Sequence, residues 1–182
     1  MKKKIILVCG RTGFGKSSII KRVCKNLGLK QVVSYTTRPM RDNEKTGSSD
    51  HYFIQPDEVK KYADDMAAYT EINGYEYFAT KTELRSSDIY TVDPNGIADL
   101  KERCGDEFDF VTIYVRTPKA LAIERCKSRG NEKEFMARYD AENQQFTDYE
   151  KKMPWEYHIF NIRTLDDAVA TMTRMIRKEL NL

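Results

Sequence analysis

Nine residues near the start of the chain carry its clearest chemistry: Gly10-Arg11-Thr12-Gly13-Phe14-Gly15-Lys16-Ser17-Ser18. They fit G-x-x-x-x-G-K-[ST], the pattern of a loop that holds phosphate groups. Glycines let the backbone curl, and the curled backbone aims successive N–H groups at anionic oxygens. Lys16 adds a flexible point charge for terminal phosphates. Ser17 offers a hydroxyl to Mg²⁺. Such a loop needs a strand before it and a helix after it. Ile5-Ile6-Leu7-Val8-Cys9 is an unbroken apolar run, suited to a strand buried on both faces. Ile19, Ile20, Val23 and Leu27 recur at helical spacing, and the N-terminus of that helix adds partial positive charge to the loop.

Other groups invite a chemical reading. Ser34-Tyr35-Thr36-Thr37-Arg38-Pro39-Met40-Arg41 sets two arginines three apart beside hydroxyls. Guanidinium forks bind phosphate through two bonds, so this stretch suits a second anion, although a solvated basic loop has the same composition. Arg125 and Arg129 are four apart and share a helix face, which a solvated face would also explain. Glu71 stands next to Asn73-Gly74, a hairpin-turn signal. Its carboxylate can accept from adjacent N–H groups of a base, and it can equally be an exposed strand residue.

The elements that must position these residues follow from periodicity and punctuation. Short strands are expected at 32–35 and 51–54, with a polar loop from Arg41 to Asp50 between them. Pro56 opens a helix whose stripe is Val59, Tyr62, Ala63 and Met66. Strand-like runs at 69–72 and 75–79 flank the Asn-Gly turn. Residues 34 to about 81 therefore read as a small β-rich insert in an alternating pattern. Beyond it come a strand at 88–93, broken by Pro94-Asn95-Gly96, then a helix carrying Ile97, Leu100 and Cys104. A strand at 110–115 follows, then a helix capped by Thr117-Pro118 and stopped by Gly130. A helix from about Asn131 to Lys152, a strand at 157–160 and a helix capped by Thr164 complete the chain. Alternation of this kind implies an α/β fold with a parallel sheet covered by helices on both faces.

The bulk properties narrow the partners. The chain has 182 residues, 40% hydrophobic and 32% charged, enough for one domain with a proper core. A net charge of +3 gives no reason to expect nucleic acid or membrane partners. Lys2, Lys3 and Lys4 precede an apolar run too short for a signal peptide. Cys9, Cys24, Cys104 and Cys126 are too far apart for a C-x-x-C pair, so reduced thiols and a cytoplasmic protein are expected.

With the phosphate loop in place, Ser34-x-Thr36-Thr37-Arg38-x-x-Arg41, followed by a Gly-containing loop to Asp50 and Phe53, resembles guanylate kinases. The similarity extends to Tyr77-Phe78-Ala79-Thr80, Asp93, Gly96, Arg125, Arg129-Gly130 and Arg138, and so covers nearly the whole chain. The resemblance implies a P-loop NTPase-type core at about 1–33, 82–124 and 143–182, an NMP-binding insert at about 34–81 and a helical lid at about 125–142. It implies an enzyme that moves the γ-phosphate of ATP to GMP or dGMP with Mg²⁺, and small-molecule nucleotides as its partners. By position, residues 10–18 would hold ATP, with Ser17 on the metal. Arg38 and Arg41 would grip the acceptor phosphate. Ser34, Glu71 and Thr80 would meet the base, His51, Tyr52 and Tyr77 would line the same site, and Asp93 would sit near acceptor and metal. Lys16, Arg38, Asp93, Arg125, Arg129 and Arg138 would form the catalytic set. His51 and His158 are expected to pack or face solvent rather than act as acid or base, since phosphoryl transfer needs positioning and charge.

The chain departs from the family pattern on the acceptor side. His51 and Tyr52 follow Asp50 where a tyrosine is usual. Phe78 replaces a tyrosine whose hydroxyl would help hold the acceptor phosphate, so Phe78→Tyr is expected to improve acceptor binding. Thr91 stands where an acid is usual. Two alternatives stay open: a kinase of the same fold acting on another nucleotide or a sugar phosphate, and a non-catalytic binding module. Oligomeric state is left open.

Overall fold

The apolar run after the three lysines becomes β1 (Lys3–Cys9), with Ile5 to Cys9 wholly buried. The computed structural model describes residues 2–40, 49–72, 74–128, 130–152 and 155–182. The remaining strands are β2 (Ser34–Thr36), β3 (His51–Phe53), β4 (Met66–Ile72), β5 (Tyr75–Thr80), β6 (Ile89–Thr91), β7 (Phe108–Arg116) and β8 (Tyr157–Phe160). The helices are α1 (Lys16–Leu27), α2 (Lys81–Ser86), α3 (Pro94–Cys104), α4 (Lys119–Lys127), α5 (Glu132–Lys152) and α6 (Leu165–Leu180), with a 3-10 helix at Pro56–Asp65. Among the described residues two four-stranded sheets result, in the orders β6-β1-β7-β8 and β3-β2-β5-β4.

The chain divides into two compact units. One comprises Met1–Ile5, Lys30–Tyr90 and Asn95–Phe110. It holds the β3-β2-β5-β4 sheet, in which β2 pairs parallel with β3 and antiparallel with β5. The β4–β5 hairpin sets Glu71 opposite Glu76 and Ile72 opposite Tyr75, with Gly74 at φ 76 in the turn. The expected hairpin is therefore present, with Gly74 in the positive-φ conformation that its turn needs.

The other unit comprises Ile6–Leu29, Thr91–Pro94 and Val111–Leu182. Here β7 and β8 run parallel, Ile113 opposite Tyr157. Helix α1 buries Ile19, Ile20 and Val23 and ends at Gly28, in the left-handed conformation that favours glycine. Helix α6 starts with a capping box between Thr164 and Asp167, as its sequence predicts, and packs on α1. The parallel sheet flanked by helices is the α/β fold that the alternation implies.

Several element boundaries differ from expectation. Residues 56–65 form a 3-10 helix and Met66 opens β4, because strand pairing with Thr80 takes over from the helical stripe. Pro94 starts α3 rather than breaking the chain, its missing N–H costing nothing in a first turn. Helix α2 has no counterpart in the sequence reading; Thr80 caps it by accepting from the Glu83 N–H. The Thr117 hydroxyl donates to the Phe14 carbonyl at 3.1 Å instead of capping α4.

Candidate active site

The phosphate loop is shaped by contacts that only glycine tolerates. Gly10 has φ +150, and a Cβ there would lie 2.5 Å from the Val115 carbonyl oxygen on β7. Gly13 has φ +72, and a Cβ would meet the Phe135 ring of α5 at 2.5 Å. Gly15 enters α1 with no side chain capping it. The Phe14 carbonyl is held from the other side by Asn161 Nδ2 at 2.9 Å. Ser17 and Ser18 are exposed at the start of α1.

Lys16 folds back over the loop and donates to the carbonyls of Gly10 at 2.5 Å and Arg11 at 3.0 Å. Burial lowers its pKa; the Glu142 carboxylate counters this, and the Arg138 charge adds to the lowering. Arg138 is thus within electrostatic reach of Lys16. The Thr12 N–H donates to Glu142 Oε2 at 2.9 Å. Asp93 follows Val92, whose N–H donates to the Val8 carbonyl, and its Oδ1 accepts from Gln145 Nε2 at 3.1 Å. Asp93 also acts on buried Cys9 at the foot of the loop; desolvation pushes that thiol up, and Lys16 lowers it.

Arg11 is placed differently from what the motif suggests. The residue is 5% exposed and its side chain turns to α5 rather than to the phosphate face. Nη1 donates to Asn143 at 3.0 Å, Nη2 to Thr147 at 3.2 Å, and Nε and Nη2 to the two Glu150 oxygens at 3.3 Å. The guanidinium also lies 5.2 Å from the Tyr139 ring and 5.4 Å from the Phe146 ring. Only its backbone remains for a nucleotide. Burial alone would raise the Glu150 carboxyl; hydrogen bonds from Arg11 and the Tyr114 hydroxyl outweigh it and hold the group below the usual range.

Arg125 donates to the carbonyls of Asn161 at 3.1 Å and Arg163 at 3.2 Å, bracing the turn that carries Asn161. Gly130 has φ 74 between α4 and α5, where the sequence places a helix stop. Arg129 and Arg41 lie outside the described residues. Sequence reasoning missed Glu142, Asn161 and the α5 partners of Arg11. None belongs to a local motif.

The acceptor-side residues gather on the β3-β2-β5-β4 sheet. Ser34, 6% exposed, shares a hydrogen bond with His51 through Oγ and Nδ1 at 2.7 Å. His51 meets Tyr77 edge-on at 5.8 Å. Arg38 is buried, its guanidinium 5.0 Å from the Phe53 ring and Nη1 donating to Pro39 O at 2.9 Å. Tyr52 is exposed, with its ring 5.0 Å from Tyr35. The Thr80 hydroxyl, capping α2, keeps its own proton to donate.

A family model described as Guanylate kinase matches residues 1–179. The chain belongs to the guanylate kinase family. It is 30% identical to a guanylate kinase of Thermotoga maritima and 30% identical to one of Clostridium acetobutylicum, in each case over 98% of this chain and 88% of the relative. In structure it resembles the guanylate kinase of Anaplasma phagocytophilum, with a TM-score of 0.71 at 19% identity over 98% of this chain and 86% of that one.

One acceptor-side expectation needs correcting. Phe78 is 1% exposed and stacks on Tyr35 at 5.0 Å and 7°, with Tyr62 beside it. A tyrosine hydroxyl there would enter an aromatic stack rather than an open phosphate site. Tyr35 itself, chiefly by burial, is pushed up to about 12. Glu71 is exposed at the hairpin tip. The Thr91 hydroxyl, where the family usually has an acid, is buried and has no hydrogen-bond partner among the described residues.

Proposed function

We propose that this chain transfers the γ-phosphoryl group of ATP to GMP, giving ADP and GDP. The observation that carries this reading is the phosphate loop. Its N–H groups and Lys16 are set for anions, and an anionic side chain already lies on one of them. The acceptor phosphate oxygen attacks the γ-phosphorus, and the β–γ bridging oxygen leaves with ADP. Lys16 neutralises charge on the transferring group, with Arg138 and Arg129 adding to it. Arg125 acts by holding the 161–164 turn. Arg38 and Arg41 hold the acceptor phosphate.

Ser34, oriented by His51, reads the base together with Thr80 and Glu71. The like-charged pair Glu71 and Glu76 across the hairpin is unfavourable in isolation. Guanine, with N1–H and N2–H₂ side by side, relieves it, whereas adenine presents a bare acceptor.

The donor set suits Mg²⁺. Ser17 is an exposed hydroxyl and Asp93 a carboxylate beside the loop, and among the described residues no three His, Cys, Asp or Glu form a cage. A hard cation of this kind is normally shared with substrate phosphates rather than caged by protein. When bound it would neutralise charge on the phosphates; Ser17 and Asp93 would hold it. Among the described residues no helix is long and apolar enough to cross a membrane. Among the described residues no cysteine forms a disulfide, which suits the reducing cytoplasm that we propose for the chain.

The test is an acceptor screen with ATP and magnesium, reading ADP release with GMP, dGMP, AMP, UMP, CMP and sugar phosphates. GMP should be preferred, and Glu71→Ala should narrow its lead over AMP. A different acceptor used well while GMP is ignored would move the protein to the second reading, a kinase of another small molecule. The buried ring of Phe78 is what favours that alternative. No turnover with any acceptor would leave only a binding module.

A further inference from the structure

We propose that Glu142 sets the affinity of the phosphate loop for its nucleotide by occupying a position that a phosphate group takes. The proposal rests on the reading of the loop as an ATP site. Thr12 lies within the loop, is 8% exposed, and its N–H donates to Glu142 Oε2 at 2.9 Å. Loops of this shape aim backbone N–H groups at anions, and the anion met here is a side chain of the protein's own helix. The same carboxylate partly offsets the burial of the Lys16 ammonium. One acid therefore bonds a backbone donor of the loop and acts electrostatically on its lysine, the two features that a phosphate would engage.

The placement of Glu142 is enforced rather than incidental. Tyr139, Glu142, Asn143, Phe146, Thr147 and Glu150 recur at intervals of three and four, so they share one face of α5. Arg11 is bonded to three of them and flanked by the rings of two others. The loop thus grips α5 through Arg11 while α5 reaches into the loop through Glu142. A phosphate and a carboxylate cannot share the Thr12 N–H, and at contact distance in a partly buried site they repel strongly. Nucleotide phosphates must displace Glu142. The contact lowers affinity for anything that carries a polyphosphate and leaves recognition of the nucleoside alone.

The experiment is calorimetric titration of the full chain with three probes: ADP, inorganic tripolyphosphate and adenosine. Glu142→Gln removes the charge and keeps an accepting oxygen; Glu142→Ala removes both. Glu142→Ala should bind ADP and tripolyphosphate about tenfold more tightly, the scale of one competing charge-assisted hydrogen bond. Glu142→Gln should gain less, and adenosine should be unaffected in both. The gain should shrink as salt rises. Unchanged or weaker ADP binding in both variants overturns the proposal, as does an equal gain for adenosine. If the native chain binds ADP but neither variant gains, the inference fails alone. If the native chain binds neither ADP nor tripolyphosphate, the nucleotide reading fails with it.

Discussion

Arg11→Met tests whether a buried ion pair joins the phosphate loop to α5. The Arg11 side chain is 6% exposed and that of Glu150 26%, with their closest oxygen and nitrogen 3.3 Å apart. Methionine keeps much of the packing between Tyr139 and Phe146 but removes every donor. Taking one partner from a buried pair costs about 3–5 kcal/mol. Glu150 retains some water and the Tyr114 hydroxyl, so the low end, about 3 kcal/mol, is expected here. At about 2–4 °C per kcal/mol for a chain of this size, Tm should fall by about 6–12 °C. Far-UV circular dichroism melts at pH 7 read this directly, with urea midpoints as a second measure. The effect has a defined pH sign. The folded-state pKa of Glu150 is depressed, so its contribution is present above the ordinary value of 4.5 and is lost as pH falls through the folded value. The gap in Tm between native and Arg11→Met should therefore close in acid. A drop of less than about 2 °C at pH 7, on the scale just used, would refute the reasoning.

Other perturbations give distinct outcomes. Lys16→Ala should lower kcat by roughly 10²-fold or more, the scale of one preorganised electrostatic contact, while the melt stays close to native. Near-native turnover would remove Lys16 from the mechanism. Arg138→Ala should reduce kcat more than the KM for either substrate, because its contact forms mainly with the transferring group; a loss confined to KM would make it a binding residue. Phe78→Tyr should destabilise by about 1–3 kcal/mol through a hydroxyl buried in the Tyr35–Tyr62 stack, without lowering the KM for GMP. A lower KM with an unchanged melt would show that the ring can turn to the acceptor.

Much of this protein is written in short-range signals. The glycines and lysine of residues 10–16 specify their loop because the required backbone angles and charge are local properties. Asn73-Gly74 marks its hairpin, and Thr164 with Asp167 starts α6, for the same reason: each involves neighbours within a few residues. Strand and helix periodicity was enough to expect the alternating α/β order. What the sequence could not reveal lies between residues far apart in the chain. Arg11 fits a phosphate motif, yet its side chain belongs to α5, more than a hundred residues away, because a buried guanidinium must find every donor a partner. Phe78 looked like a missing phosphate ligand until strand pairing with Tyr35 turned its ring inward. Glu142 has no motif of its own. Its place on the Thr12 N–H comes from the register of a helix face against a loop, which tertiary packing alone decides.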